Sequence, residues 1–195
     1  MAGDLGTDGT SVHDAARAVI DFWFSLPLGR HFARDGALDA RIARCFGDLR
    51  DAVFASRAAA WRETPDALLA AIVLLDQFSR NIHRDSPRAY EADDLAVELT
   101  LLAIDRGWEA YFTVAQRAFL YMPLMHAEDL ALQRLCVDRF SAMRSDQLRY
   151  AEGHRDVIAR FGRFPTRNAV LGRETTAEEH AYLVAPDDGR GPPKA

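Results

Sequence analysis

The stretch from Ala67 to Leu75 (ALLAAIVLL) has no polar side chain, and the start signal Thr64-Pro65-Asp66 precedes it. A capping hydroxyl followed by Pro at the first helical position opens a helix. The pattern predicts a helix from Asp66 to Phe78 that is apolar nearly all round. A helix of that kind has no face to give to water, so other elements must enclose it. The apolar run is about half of what a bilayer crossing needs, so it reads as a core helix and not a membrane span. The chain has the material for such a core, with 195 residues of which 49% are hydrophobic.

The other segments share the helical period, and no alternating strand stands out. Val12, Ala16, Val19, Ile20 and Trp23 form one stripe of a helix over Ser11 to Ser25. A second helical stretch is expected from Leu38 to Arg62, with Ile42, Cys45, Phe46, Leu49 and Phe54 inward and a candidate break at Gly47. Ser86-Pro87 repeats the start signal for a helix through Leu95, Leu99 and Leu102 that Gly107 stops. Thr113 opens the next, which Pro123 must end or kink for want of an N–H. Helices follow over Leu124 to Met143 and Ser145 to Phe161, the last closed by Gly162. Thr175 and Thr176, with Glu178 and Glu179, offer two capping boxes for a short helix to Val184. The expectation is an all-α, tetratricopeptide-like array of seven to nine antiparallel helices. It forms a single domain over residues 11–185, with a flexible arm (1–10) and a disordered tail (186–195).

A net charge of -5 argues against a nucleic-acid binder. No signal peptide is visible at the start, and Cys45 and Cys136 read as free thiols, buried in helices, in a reducing cytoplasm. No metal-ligand spacing, phosphate loop or nucleophile elbow occurs, so neither a metal nor a cofactor is expected. Of 24 basic residues only Lys194 is lysine, which reflects either base composition or use of the planar guanidinium fork.

Three segments concentrate polar groups. The first is Asp76 to Arg84 (DQFSRNIHR), at the end of the enclosed helix. Asp76 and Arg80 pair at i, i+4, and Asn81 suits a helix end. It reads either as a capped helix end or as Arg80 and Asn81 offered to an anion. The second is Arg117 to Leu130 (RAFLYMPLMHAEDL). Met122, His126, Asp129 and Gln133 would share one helix face, and His126 beside Glu128 and Asp129 is a candidate general acid-base group. The third is His154 to Arg173 (HRDVIARFGRFPTRNAVLGR), where Asp156 and Arg160 can pair. Arg163, Arg167, Asn168 and Arg173 follow within one loop. They need carboxylates, available at Glu128, Asp129 and Asp156, or else a bound anion.

These segments, with IDFWF near the start and RETTAEE after the third, resemble the bacterial domain-of-unknown-function 924 family, in order from about Ile20 to Leu183. The resemblance implies an all-helical fold of the tetratricopeptide-like type and no assigned activity. The family's usual DQFPRN stands here as Asp76 to Asn81 with Ser79 in place of Pro. Its usual RFPHRN stands as Arg163 to Asn168 with Thr166 in place of His.

The three segments are expected to meet, since each carries charges its own helix cannot satisfy. The function this favours is binding of a small anionic ligand, or of a peptide or protein partner. The binding residues would be Arg80, Asn81, Glu128, Asp129, His154, Arg163, Arg167, Asn168 and Arg173. Two alternatives stand beside it: an enzyme using His126 as general acid or base, and a purely structural polar network.

Overall fold

The computed structural model describes residues 9–186. The expected tail beyond Pro186 and most of the expected arm lie outside them, while Gly9 and Thr10 already belong to the first helix. All regular structure among the described residues is helical, with eight helices of eight residues or more, so the chain is all-α. None of these helices is long and apolar enough to cross a membrane. By its contacts the chain divides into two compact units, Met1–Arg84 with Arg88–Leu120 and Asp85–Pro87 with Tyr121–Ala195.

The first unit contains α1 (Gly9–Phe24), the one-turn α2 (Leu28–His31) and α3 (Gly36–Ala55). The enclosed helix follows as α4 (Pro65–Ile72), and α6 (Asp93–Asp105) packs on it. On α1 the expected stripe is buried at Val12, Ala16, Val19 and Trp23, and it packs on α4. Asp35 caps α3 by accepting from the N–H groups of Ala37 and Leu38 at 3.0 and 3.1 Å. The helix runs through Gly47 unbroken, since one interior Gly costs only about 1 kcal/mol. Its buried stripe is Leu38, Ile42, Phe46, Arg50 and Val53. Cys45, expected inside, is exposed, because the stripe advances by four residues from Ile42 to Phe46 and passes over it.

Thr64 caps α4 as its sequence predicts, accepting from Ala67 N–H at 3.3 Å. The helix does not stay α. Val73–Phe78 is a π-helical turn, and α5 (Ser79–Ile82) continues past the expected end. The Ser79 N–H donates to Leu74 C=O, the i to i+5 bond that defines the wider turn. Every residue from Ala67 to Ser79 is buried, including Asp76, Gln77 and Ser79. Both α3 and α6 pack against the π turn. The Ser86-Pro87 signal gives only a 3-10 turn, Pro87–Ala89, and α6 starts later, with Asp93 and Asp94 placing negative charge in its first turn. Gly107 stops α6 from the left-handed region (φ 65). Thr113 and Gln116 form a reciprocal capping box at the start of α7 (Val114–His126).

The division between units falls inside α7, between Leu120 and Tyr121. In the second unit α7 continues past Pro123 to His126. Gln133 then donates to the carbonyls of Met125 and Ala127 at 2.7 and 2.8 Å, satisfying the helix end. The chain breaks there, and α8 (Leu130–Ala142) starts afresh with Asp129 as its cap, accepting from Leu132 N–H at 2.9 Å. The continuous helix face expected from Met122 to Gln133 therefore does not exist. Arg144 (φ 49) and a Ser145 Oγ that accepts from Gln147 N–H make a tight turn, which delays α9 (Leu148–Phe161) beyond its expected start. Helices α8 and α9 pack on each other. Gly162 ends α9 with φ 69, as expected. Val157, Ile158 and Phe164 form the buried cluster here, with Leu130, Phe161 and Tyr182 against it. The last helix, α10 (Ala177–Val184), opens on the Thr176–Glu179 capping box.

Candidate functional site

Each unit carries its own network of arginine and carboxylate. In the first, the π turn and α5 present Asp76, Arg80, Asn81 and Arg84 to α3 and α6. Arg80 grips Asp93 with both terminal nitrogens, at 2.9 and 3.0 Å. It also donates to the Asp76 carbonyl at 2.9 Å and lies 3.3 Å from the Asp76 carboxylate. Gln77 donates to the other Asp76 oxygen. The two carboxylates outweigh desolvation and push the Arg80 guanidinium well above its ordinary range. Asn81 and Arg84 share the Asp39 carboxylate of α3, at 2.7 Å from Asn81 and 2.9 Å from Arg84. Arg80 and Asn81 thus serve carboxylates of their own unit, and the i, i+4 pair of Asp76 and Arg80 is present.

In the second unit the second and third polar segments do meet. Arg173 grips Glu128 bidentately at 2.6 and 3.0 Å, and Phe164 N–H donates to the same carboxylate at 2.7 Å. Burial opposes ionisation of Glu128, but the Arg173 and Phe164 bonds outweigh it and hold its pKa low. Arg163 grips Glu179 at 2.6 and 2.9 Å, and Asn168 donates to it at 3.2 Å. Bonded foremost by Arg163, the Glu179 carboxyl is held down to about 2. Asn and Arg sharing one carboxylate recurs here as in the first unit, with Glu179 in the place of Asp39.

His126, His154, Phe164 and Arg167 form a second layer. Arg167 lies over the Phe164 ring, 4.6 Å from its centroid, and donates to the His126 carbonyl at 2.8 Å. Phe164 meets the buried His154 ring edge-on at 5.6 Å, and the His126 and His154 rings are 6.4 Å apart. His154 Nδ1 lies 2.8 Å from the Tyr150 carbonyl. A carbonyl only accepts, so Nδ1 carries the hydrogen and the neutral ring keeps its lone pair on Nε2. Glu128 serves Arg173, and Asp129 caps α8. Asp156 pairs with its neighbour Arg155 at 2.6 Å, and Arg160 with Glu178 at 2.9 Å, so the expected Asp156–Arg160 pair does not form. No group of three or more metal-ligating side chains gathers among the described residues.

The model of the family described as bacterial protein of unknown function (DUF924) matches residues 19–187. The chain belongs to that family. A solved structure similar to this DUF924 chain is that of a protein of unknown function, ATU0120, from Agrobacterium tumefaciens. The two are 38% identical with a TM-score of 0.85, over 89% of this chain and 98% of that one. No curated protein matches the chain.

Sequence reasoning about this DUF924 chain missed Asp39, Arg50, Asp93 and Glu179. Glu179 was visible only as a capping residue, since nothing local announces that Arg163 and Asn168 also converge on it. Arg50 had a readable signal, a charge standing on the buried stripe of α3.

Proposed function

We propose that the chain binds a small anionic ligand, a carboxylate or a phosphate, at the cluster of His126, His154 and Arg167. The observation that carries this reading is the pair of imidazoles 6.4 Å apart with the Arg167 guanidinium held beside them on Phe164. A guanidinium pre-positioned on a ring loses little entropy on binding an anion, and it takes carboxylate and phosphate alike. In this reading Glu128, Arg163, Asn168 and Arg173 hold the loop that presents Arg167, and Asp129 caps the helix behind it. Arg80 and Asn81 stabilise the other unit. A cytoplasmic setting belongs to the same reading, supported by the unpaired Cys45 and Cys136.

The tautomer of His154 favours a second reading for the same place. With Nδ1–H donated to the Tyr150 carbonyl, Nε2 is the basic atom of the neutral ring, which is the arrangement acid-base chemistry on a bound ligand would use. Thermal shift against a panel of carboxylates, phosphates and short acidic peptides tests the binding itself. A ligand at 100 times its dissociation constant adds about 2.7 kcal/mol of stability. That gain should appear in the native chain and vanish in Arg167→Gln. A panel in which no anion stabilises the native chain contradicts the reading.

A further inference from the structure

Arg50 sits on the buried stripe of α3 with no exposed surface. Its Nε donates to Ser79 Oγ at 2.9 Å, and its Nη1 to Asp51 and Glu91 at 2.9 and 2.7 Å. The guanidinium stands over the Phe54 ring, 5.0 Å from the centroid. Its Nη2 is buried and has no hydrogen-bond partner. An unmade buried donor is costly and calls for an acceptor. His83, just past the end of α5, repeats the situation, for its Nε2 is also buried and without a partner. Arg88 completes the group, 3.2 Å from Asp51 and 3.4 Å from Glu91. The charges acting on His83 are those of Arg88, Arg50, Asp51 and Glu91. Burial first, then the two arginines, holds its pKa below the ordinary value, so the ring is neutral at neutral pH.

His83 follows Ser79, the partner of Arg50, by one helical turn, and Arg88 shares Asp51 and Glu91 with Arg50. In the tautomer that carries its hydrogen on Nε2, the neutral imidazole joins the unmade Arg50 N–H as a second donor lacking an acceptor. An anionic oxygen supplies what both lack, and charge-assisted bonds are about twice as strong as neutral ones. With Nη1 held by carboxylates, Arg50 offers one free prong, so an anion here must collect single donors from separate residues. A phosphate brings more oxygens and up to two charges, enough to accept from Arg50, His83 and Arg88 at once, where a carboxylate brings two oxygens and one charge.

We propose that Arg50, His83 and Arg88 form a phosphate-binding site, with Arg50 Nη2 and His83 Nε2 as inner donors and Arg88 as the outer cation. Arg88 is half exposed, and its pairs with Asp51 and Glu91 are of the weak surface kind that an entering dianion displaces. The site belongs to the first unit, and the proposal does not depend on the His126 cluster.

The test is imidazole NMR of the full chain titrated with inorganic phosphate, with phenyl phosphate and acetate as parallel arms. The His83 resonances are identified by their loss in His83→Phe. The proposal expects them to move saturably with phosphate and the His83 pKa to rise in the complex, while acetate produces neither effect. Arg88→Gln, outside the core, should retain the native melting temperature and weaken phosphate by about tenfold. Tighter binding of phenyl phosphate identifies an ester as the natural ligand, and tighter binding of inorganic phosphate identifies the free ion. Either result supports the site. His83 resonances that stay fixed through the phosphate titration overturn it. So does an equal response to acetate, or an unchanged affinity in Arg88→Gln. The His126 and His154 rings report separately, so failure here and failure of the His126 cluster are distinguishable.

Discussion

Glu179→Ala removes the carboxylate on which the segment between α9 and α10 converges. Arg163 donates to it at 2.6 and 2.9 Å, Thr176 N–H at 2.8 Å and Asn168 at 3.2 Å. Glu179 is 2% exposed and Asn168 1%, so the acceptor and the Asn168 donor are poorly hydrated in the fold. Removing one side of a buried ion pair costs about 3–5 kcal/mol. The Arg163 side chain keeps 30% exposure, which lets water take some of its donors. The expected loss is therefore at the low end, about 3 kcal/mol with the capping box included. Glu179→Gln keeps an acceptor oxygen but no charge and should lose less. Urea unfolding followed by circular dichroism at neutral pH measures the loss. Hydrogen exchange over residues 163–184 shows where the structure opens. The acid profile gives a second reading. The folded pKa of Glu179 is lowered from 4.5 to about 2. Its contribution is present above the unfolded value and is lost as pH falls through the folded one. The native chain should lose stability between about pH 4.5 and pH 2, and Glu179→Ala should be flatter across that window. A loss below about 1 kcal/mol with an unchanged acid profile would show that water serves these donors as well as the carboxylate does.

Ile72→Ala or Leu74→Ala, both at fully buried positions of the enclosed helix, should cost about 2–5 kcal/mol in the same urea experiment. Arg80→Ala takes the cation from both Asp93 and the buried Asp76 and should cost about 3–5 kcal/mol, with Arg80→Lys recovering only part because it lacks the bidentate fork. Thiol titration should label Cys45 in the native chain and Cys136 only after unfolding, because Cys45 is exposed and burial pushes the Cys136 thiol well above its ordinary pKa. Fast native labelling of Cys136 would show that the packing around α8 is open.

Local signals in the sequence fared according to how far their physics reaches. Thr64-Pro65, Gly107, Gly162 and Thr176–Glu179 act within one turn, and each does in the structure what its spacing predicts. The enclosed helix was legible because apolarity on every side leaves one outcome. The π turn inside it was not, since the side chains of Val73 to Phe78 carry the same pattern in either winding. Cys45 was misplaced because the buried stripe of α3 steps by four residues from Leu38 through Ile42 and Phe46 to Arg50, which leaves position 45 outside it. At the candidate site, the sequence showed that Arg163, Arg167 and Arg173 needed carboxylates and named Glu128 among them. It did not show Glu179, whose pairing spans the loop from Arg163. The junction at Ala127 to Asp129 was hidden for a similar reason. The Gln133 amide that satisfies the end of α7 comes from the following helix, and only the folded chain brings it there.

An anion held by His126, His154 and Arg167 should leave its mark on the rings themselves. Imidazole resonances of His126 and His154, assigned by His126→Ala and His154→Ala, are followed while the native chain is titrated with succinate and with phosphate. Both rings should shift together and saturably with at least one of these anions, and Arg167→Gln, still folded, should abolish the response. Rings that stay fixed under both anions, or that respond equally in Arg167→Gln, would contradict it.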